Sequence, residues 1–511
     1  MSKKLLKKVR VRFAPSPTGP LHLGSLRTAL YNYLFARKNQ GSFVLRIEDT
    51  DTERLVSESE SYISQVLEWC GIIPDEGPFF GGNFGPYRQS ERKYIYISHV
   101  TQLIKKGFAY YAFDTNQSLA RIRNEFQKNG EKFIYNSRIR EKMENSLSLP
   151  YKEVHRRLEK PYVVRFKTPF KNECLEIYDE VRGKIHINTS TLDDKILLKS
   201  DGMPTYHLAN IIDDHLMHIS HVIRGEEWLP SMGFHCLLYR SFGWEIPKFV
   251  HLPLILNPRG KGKLSKRNKG KLELPIFPIQ WRDPETGIVI RGYREYGYLP
   301  SAIINMLAFL GWNPGEGEEF FLMNDLVRKF SLEKVGKSSV YLSIEKARWF
   351  NHQHLQKKTL DEISALFRKD LEKHHIKSDE NYIRKVIESV RKRVCFIHEL
   401  WEQSSYFFIY PKNYDKCYLQ KIRSSRYCLI VKDLKKLLES VEDFKESFLK
   451  IKIKDFSKKH NISSVFFKKN LRLALVGRLQ GVGIFFLMEM IGKRETLSRV
   501  ECFYRALHDS V

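Results

Sequence analysis

Residues 9–51 read as strand, breaker loop, helix and second strand, and this opening narrows the fold more than any other stretch. "VRVRF" (residues 9–13) alternates apolar and polar side chains, as a half-buried strand does. Pro15, Pro17, Gly19 and Pro20 then forbid regular structure. Leu23, Leu26, Leu30, Tyr33 and Leu34 return at helical spacing. "SFVLRIEDTD" (residues 42–51) reads as a second strand ending in acids. A β-α-β order of this kind predicts a parallel sheet with a crossover helix. Ligands of such sheets gather at the carboxyl ends of the strands.

The chain has 511 residues, about three or four domains by length, and the rest of it follows different patterns. After "GPYRQSER" (residues 85–92) the chain mixes basic helices with short strands to about residue 199, which reads as an insertion. Apolar strand signal returns in "YHLANIIDD" and "HVIRG". From about residue 345 the pattern is amphipathic helix, clearest at Leu434, Leu437, Leu438, Val441 and Phe448. No run approaches the ~20 apolar residues of a membrane span. No apolar run follows "MSKKLLKKVR", so no secretory leader is expected. The seven cysteines are widely spaced and contain no C-x-x-C pair, which fits a reduced cytoplasmic protein and neither a zinc ribbon nor a disulfide framework. The charge of +27 suits a polyanionic partner such as nucleic acid, and equally a chain that is simply rich in lysine.

Two short stretches carry chemistry. "PTGPLHLG" places His22 and Gly24 where the breaker loop enters the first helix. A helix N-terminus offers unpaired N–H groups and a positive dipole end, which suits phosphate. A histidine there can bond a phosphate oxygen, or simply cap the helix; a glycine lets a base or phosphate approach the backbone. "GKGKLSKRNKG" (residues 260–270) sets Lys263 and Lys266 between glycines, where they could clamp a polyphosphate during transfer or form a solvated basic loop.

Taken together, "PTGPLHLG" and "KLSKR" resemble the two signatures of class I aminoacyl-tRNA synthetases. Ser25 and Arg267 stand where the general signatures end in His and Ser, and both departures are those of the glutamyl branch. "RFAPSPTGPLHLG", "RIEDTD", "GPYRQSER", "SDGMPTYHLAN", "DDHLM", "VIRGEEW", "RWFNHQHL" and the tail "LRLALVG…MEMIGKRETLSRV" resemble glutamyl-tRNA synthetases along nearly the whole chain.

The resemblance implies an α/β Rossmann-like catalytic domain with an α+β insertion, followed by an all-α anticodon-binding region. The expected boundaries are 1–90 and 200–250 for the two halves of the catalytic domain, 91–199 for an acceptor-stem insertion, 251–345 for a stem-contact region with the KLSKR loop, and 346–511 for the helical anticodon region. It implies activation of L-glutamate by ATP, with Mg²⁺ arriving on the phosphates, and transfer to the 3′ end of tRNA(Glu) by a cytoplasmic monomer that forms the adenylate only with tRNA bound. His22, Lys263 and Lys266 would be catalytic. His22, Gly24, Glu227, Lys263, Ser265 and Lys266 would bind ATP. Arg12, Ala14, Ser16, Glu48, Tyr206, Asn210 and Arg224 would bind glutamate: Glu48 the ammonium, the two arginines the carboxylates, since bidentate guanidinium suits a carboxylate. Internal ion pairs to Glu226 or Glu48 are the competing reading of Arg12 and Arg224.

No zinc is expected, because "YYAFDT" (residues 110–115) lacks the cysteines that some members carry there. His215, His218 and His221 beside Asp213 and Asp214 could suggest a metal, but Leu216, Ile219 and Val222 alternate with them as packing residues do, and no metal site is expected. Arg393, on a helix expected over 382–396, matches an arginine that reads the third anticodon base in members specific for tRNA(Glu), with Arg391 as the alternative register. "WRDPETGIVIRGY" predicts a hairpin turning at residues 283–287. Two other readings stay open. A glutaminyl-tRNA synthetase would begin its pocket with a P-P-E-P-N-G-like loop instead of "APSPTG". A tRNA-binding protein without catalysis would not need His22, Gly24, Lys263 and Lys266.

Overall fold

Strand β1 (Arg10–Phe13) pairs in parallel with β2 (Ser42–Leu45), from Arg10 opposite Ser42 to Phe13 opposite Leu45. Helix α1 (Leu23–Lys38) crosses between them, and its expected apolar residues Leu23, Leu26, Leu30 and Leu34 are buried. Burial extends round the helix to Arg27 and Tyr31. The Arg27 guanidinium donates to the carbonyls of Leu310 and Pro253, and the Tyr31 hydroxyl to that of Ala308. The computed structural model describes residues 8–170, 173–256, 275–315, 317–411, 413–422 and 424–508. It divides into two units, Met1–Phe350 and Asn351–Val511.

Helices α2 (Ser59–Trp69) and α3 (Lys93–Lys105) follow in the first unit. The expected insertion contains β3 (Ala109–Ala112), α4 (Asn116–Lys128), α5 (Tyr151–Arg157), β4 (Val163–Phe166), the hairpin of β5 (Cys174–Asp179) and β6 (Gly183–Asn188), and β7 (Ile196–Leu198). β3, β4 and β7 form their own antiparallel sheet. The hairpin behaves differently. β5 runs into the sheet of β8 (His221–Gly225) and β9 (Lys248–Leu252), giving the order β6-β5-β9-β8. Leu175 and Ile177 on one face of β5 are buried in the main core, while Cys174, Glu176 and Tyr178 on the other are exposed. Part of the segment set aside from the catalytic sheet therefore extends it.

Helix α6 (Tyr206–Leu216) leads into β8, and α7 (Met232–Phe242) links β8 to β9. Ser220 ties β8 to β1: its N–H donates to the Arg10 carbonyl, and its hydroxyl accepts from the Arg10 N–H, both at 2.9 Å. The carboxyl ends of β1, β2 and β8 thus face one region. Further on, β10 (Ile255–Leu256) pairs with a strand described below, and β11 (Trp281–Arg282) pairs antiparallel with β12 (Val289–Ile290). The expected hairpin is present, with Asp283 Oδ1 accepting the N–H groups of Glu285 and Thr286 across the turn. Trp281 anchors it edge-on against Tyr62 of α2. Helices α8 (Pro300–Phe309) and α9 (Met323–Lys329) precede β13 (Val340–Tyr341), the partner of β10.

Helix α10 (Ile344–Lys357) contains the division between the units. The second unit continues with α11 (Leu360–Lys373), α12 (Glu380–Val390), α13 (Glu399–Ser404), α14 (Lys416–Ile422), α15 (Ser425–Ser440), α16 (Glu446–Lys459), α17 (Ser464–Val476) and α18 (Ile484–His508), the last broken at Gly492. A capping box of Thr359 and Glu362 starts α11, and the Asp379 carboxylate caps α12. Ile383, Val386, Ile387 and Val390 form the buried stripe of α12. This helix stops at Val390 and tightens into one 3-10 turn, Arg391–Arg393, so it is shorter than the expected 382–396. Val394 and Phe396 beyond the turn are buried as well, but from an extended segment that begins at Val394. Among the described residues, no helix is long and apolar enough to cross a membrane.

Candidate active site

A cleft of ≈ 260 Å³ opens at the carboxyl ends of the parallel strands. β1 delivers Arg12 and the loop after it Ala14 and Ser16; the start of α1 delivers His22; the segment after β2 delivers Glu48. Tyr206 and Asn210, four residues apart, share one face of α6, and Arg224 and Glu227 come from the end of β8 and just beyond. Gly24 lines an adjoining recess with His22, Gly225 and Glu227. Nine of the residues singled out in the sequence thus line one cleft, and a tenth lines its recess. Lys263, Ser265 and Lys266 lie outside the described residues.

The two arginines expected to meet substrate carboxylates sit in different electrostatic settings. Arg12 donates from Nε to Asp214 Oδ1 at 3.0 Å and from Nη1 to the Ile223 carbonyl. Its internal ion pair is therefore with Asp214, not with Glu48 or Glu226. Arg46, 0% exposed, shares the same oxygen at 2.7 Å and reaches Glu48 Oε1 at 3.1 Å. Burial pushes the Asp214 carboxyl up, but the two guanidiniums outweigh it and hold the group below the usual carboxylate range. Asp213 beside it takes Arg92, Gln89 and the Tyr96 hydroxyl. "DDHLM" is thus a buried charge lock that joins α6 to both first strands. Glu48 is raised by burial, against the pull of Arg46 and Asn210. Both of its described bonds fall on Oε1, so Oε2 takes no part in them.

Arg224, 5% exposed, has no carboxylate partner among the described residues. Glu226, the partner considered from sequence, pairs with Arg182 instead. Every acceptor round the Arg224 guanidinium is neutral. Nε donates to His251 Nε2 at 3.0 Å, Nη1 to the Tyr206 hydroxyl and to His235 Nδ1 at 3.3 Å each, and Nη2 to the Trp228 carbonyl at 3.5 Å. Tyr206 is held by stacking on Trp228, with centroids 4.1 Å apart. Burial, and then the Arg224 charge, push His235 well below the ordinary histidine range, and burial leaves His207 at about 4. A buried cation surrounded by neutral dipoles is prepared for an anion that arrives from outside.

At the mouth of α1 the cap and the phosphate reading of His22 coincide. Its Nδ1 accepts the Ser25 N–H at 3.1 Å as the helix N-cap. A ring that accepts at Nδ1 carries its proton on Nε2 when neutral, and in this structure Nε2 lies 3.4 Å from the Ser25 hydroxyl, at the edge of the cleft. Gly24 serves this geometry in a way the sequence did not suggest. A Cβ there would lie 3.0 Å from His22 Cε1, so the missing side chain makes room for the imidazole itself. Gly225 does the same for Glu227, whose carboxylate would lie within van der Waals overlap of any added Cβ.

His215 stacks flat on Trp244 at 3.8 Å, His218 meets Phe84 edge-on, and His221 meets Phe35 likewise. These rings pack against aromatics, while the adjacent aspartates hold arginines. In the second unit Arg391 donates to the carbonyls of Gln356 and Lys358 at the end of α10, whereas Arg393 is exposed. Sequence reasoning missed Trp228, His235, His251 and Asp179. A usable signal existed for His251, which sits at the carboxyl end of a strand in the same sheet.

The model of the class I tRNA synthetase catalytic domain for glutamate and glutamine (E and Q) matches residues 8–349, and that of an anticodon binding domain matches residues 352–504. The chain belongs to this family of class I tRNA synthetases. It is 51% identical over 496 residues to the glutamate–tRNA ligase of Christiangramia forsetii, covering 97% of this chain and 98% of the relative. It is 48% identical over 499 residues to that of Porphyromonas gingivalis, covering 97% and 98%. A crystal structure of a glutamate tRNA ligase from Elizabethkingia meningosepticum, in complex with its amino acid, matches with a TM-score of 0.94 at 48% identity, over 98% of this chain and 100% of that one.

Proposed function

We infer that the chain works as a glutamate–tRNA ligase. A glutamate carboxylate oxygen attacks the α-phosphorus of ATP and expels pyrophosphate. The terminal adenosine hydroxyl of tRNA(Glu) then attacks the activated carbonyl and expels AMP. No side-chain nucleophile is needed; positioning and charge stabilisation carry the reaction. The observation that carries this reading is Arg224, a buried cation facing the cleft whose partners among the described residues are all neutral. It takes one substrate carboxylate. Arg12 meets the other with Nη2, which neither of its internal bonds uses, and Glu48 takes the ammonium. His22 donates to the phosphates at the helix start, with Lys263 and Lys266 as further cations and Mg²⁺ brought by the nucleotide. Charging assays with purified tRNA(Glu) and tRNA(Gln), each with glutamate and glutamine, test the reading: glutamate accepted on tRNA(Glu) supports it, and glutamine accepted on tRNA(Gln) overturns it. The reading includes a cytoplasmic monomer, which sedimentation of the full chain checks.

Glu227 lies between the two recesses as an ATP contact. Gly225→Ala forces its carboxylate to turn away. The expected result is a several-fold higher KM for ATP with the KM for glutamate unchanged, read by pyrophosphate exchange in the presence of tRNA.

We also propose that Arg393 reads the third anticodon base, with Arg391 occupied by carbonyls. tRNA(Glu) and tRNA(Gln) differ there by cytosine against guanine, and their edges present different donor and acceptor patterns. Removing such a contact costs about 1–3 kcal/mol and relaxes specificity at that position. Arg393→Gln is expected to begin charging tRNA(Gln) with glutamate. Equal loss on both tRNAs would make Arg393 a phosphate contact instead.

A further inference from the structure

We propose that His251, oriented by Asp179, is a positioning residue that aims the Arg224 guanidinium at a glutamate carboxylate. The inference rests on the reading of Arg224 as a substrate-binding arginine, and the test below separates the two.

Two hydrogens at this site have only one possible place. An arginine Nε–H can donate but never accept. His251 Nε2, at 3.0 Å from it, must therefore present its lone pair. The ring proton then sits on Nδ1, which faces Asp179 Oδ2 at 2.7 Å. Asp179 and His251 are both fully buried. The carboxylate thus sets the tautomer of the imidazole, and the imidazole sets the rotation of the guanidinium about its stem. This is the shortest of the hydrogen bonds made by Arg224; those to Tyr206, His235 and Trp228 are 3.3 Å or longer.

The anchor behind the imidazole is rigid. Asp179 Oδ1 accepts the N–H groups of Val181 at 3.0 Å and Arg182 at 2.8 Å in the β5–β6 turn. Its Oδ2 also accepts the backbone N–H of His251 at 3.1 Å. The hairpin that joins the catalytic sheet therefore brings one carboxylate to within a single ring of Arg224. That ring matters electrostatically. A carboxylate bonded directly to Arg224 would offset much of its charge, whereas Arg12 shares Asp214 with Arg46. An imidazole between the two holds the guanidinium in place and leaves its charge for the substrate. Burial, together with the Arg224 charge, keeps His251 below the ordinary histidine range despite Asp179, so the ring remains an acceptor. His235 repeats the logic on the other side: Nδ1 accepts from Arg224, and Nε2 donates to His207 Nδ1 at 3.1 Å.

Two substitutions separate positioning from packing. An asparagine amide at position 251 falls where Nδ1 lies, keeping the Asp179 bond and losing Arg224. A glutamine amide reaches where Nε2 lies and can still accept from Arg224. With the full chain, tRNA(Glu) and ATP, His251→Asn is expected to raise the KM for glutamate about 10- to 100-fold, as loss of a charge-assisted bond does. The KM values for ATP and tRNA should stay within about 2-fold, as expected for a group that acts only on glutamate binding. His251→Gln should recover most of the loss. Arg224→Lys, measured alongside, should raise the KM for glutamate at least as much. If Arg224→Lys raises it and His251→Asn does not, the positioning role is wrong. If Arg224→Lys leaves it unchanged, the reading of Arg224 itself fails. If both His251 variants lower the melting temperature and raise all three KM values together, His251 is only a tie between β9 and the hairpin, and the proposal is overturned.

Discussion

Replacing His22 by asparagine is expected to lower glutamyl-adenylate formation about 10²–10³-fold, the loss that follows removal of one preorganised donor to developing charge. The choice of asparagine follows from the structure. His22 accepts the Ser25 N–H as the cap of α1. His22→Ala would remove cap and donor together, and loss of a cap alone costs about 1 kcal/mol of stability. Asparagine is among the best caps, so it keeps the helix start while deleting the imidazole Nε2–H. Pyrophosphate exchange with saturating tRNA measures the chemical step, and thermal melting reports the helix. tRNA affinity, read by filter binding, should change little. Near-wild-type exchange by a folded His22→Asn chain would leave His22 as a cap and nothing more.

Arg224→Met is expected to raise the KM for glutamate on the order of 100-fold or more, because leaving one member of a buried ion pair alone costs about 3–5 kcal/mol. Its effect on the unliganded chain should have the opposite sign to the usual core substitution. The guanidinium is buried among His251, His235, Tyr206 and a carbonyl, with no carboxylate among the described residues bonded to it to offset its desolvation. A thioether of similar volume removes that cost, so the melting temperature should hold or rise. Arg46→Met supplies the contrast. Arg46 shares Asp214 with Arg12 and reaches Glu48, all three groups buried. Its removal strands carboxylates in the core and should destabilise the chain by about 3–5 kcal/mol. Calorimetry of both variants, beside glutamate kinetics of Arg224→Met, checks the pair. A strongly destabilised Arg224→Met would mean that Arg224 is structural and its charge is compensated within the chain.

Much of the site could be read before any coordinates. Breakers before a periodic helix, flanked by two strands, locate the carboxyl ends where the cleft opens, because prolines and side-chain periodicity act within a few residues. The hairpin at residues 283–287 was legible for the same reason: Asp283 bonds N–H groups only two and three residues on. Resemblance supplied Arg12, Glu48, Tyr206, Asn210 and Arg224 as a set. It did not say how they differ.

That difference is a matter of distance in space. Asp214 lies 202 positions from Arg12, and Asp179 lies 72 from His251. Ion pairing depends on separations of a few ångströms and on burial, and neither is encoded in local pattern. The sequence offered Glu48 and Glu226 as the internal partners of Arg12 and Arg224. Folding paired Glu226 with Arg182 and left Arg224 to neutral rings. The end of α12 at Val390, the carbonyls held by Arg391 and the entry of β5 into the catalytic sheet have the same origin. Short-range chemistry settles turns, caps and the faces of helices and strands. Which buried charge is neutralised, and which is kept for a substrate, follows only once distant segments share one low-dielectric interior.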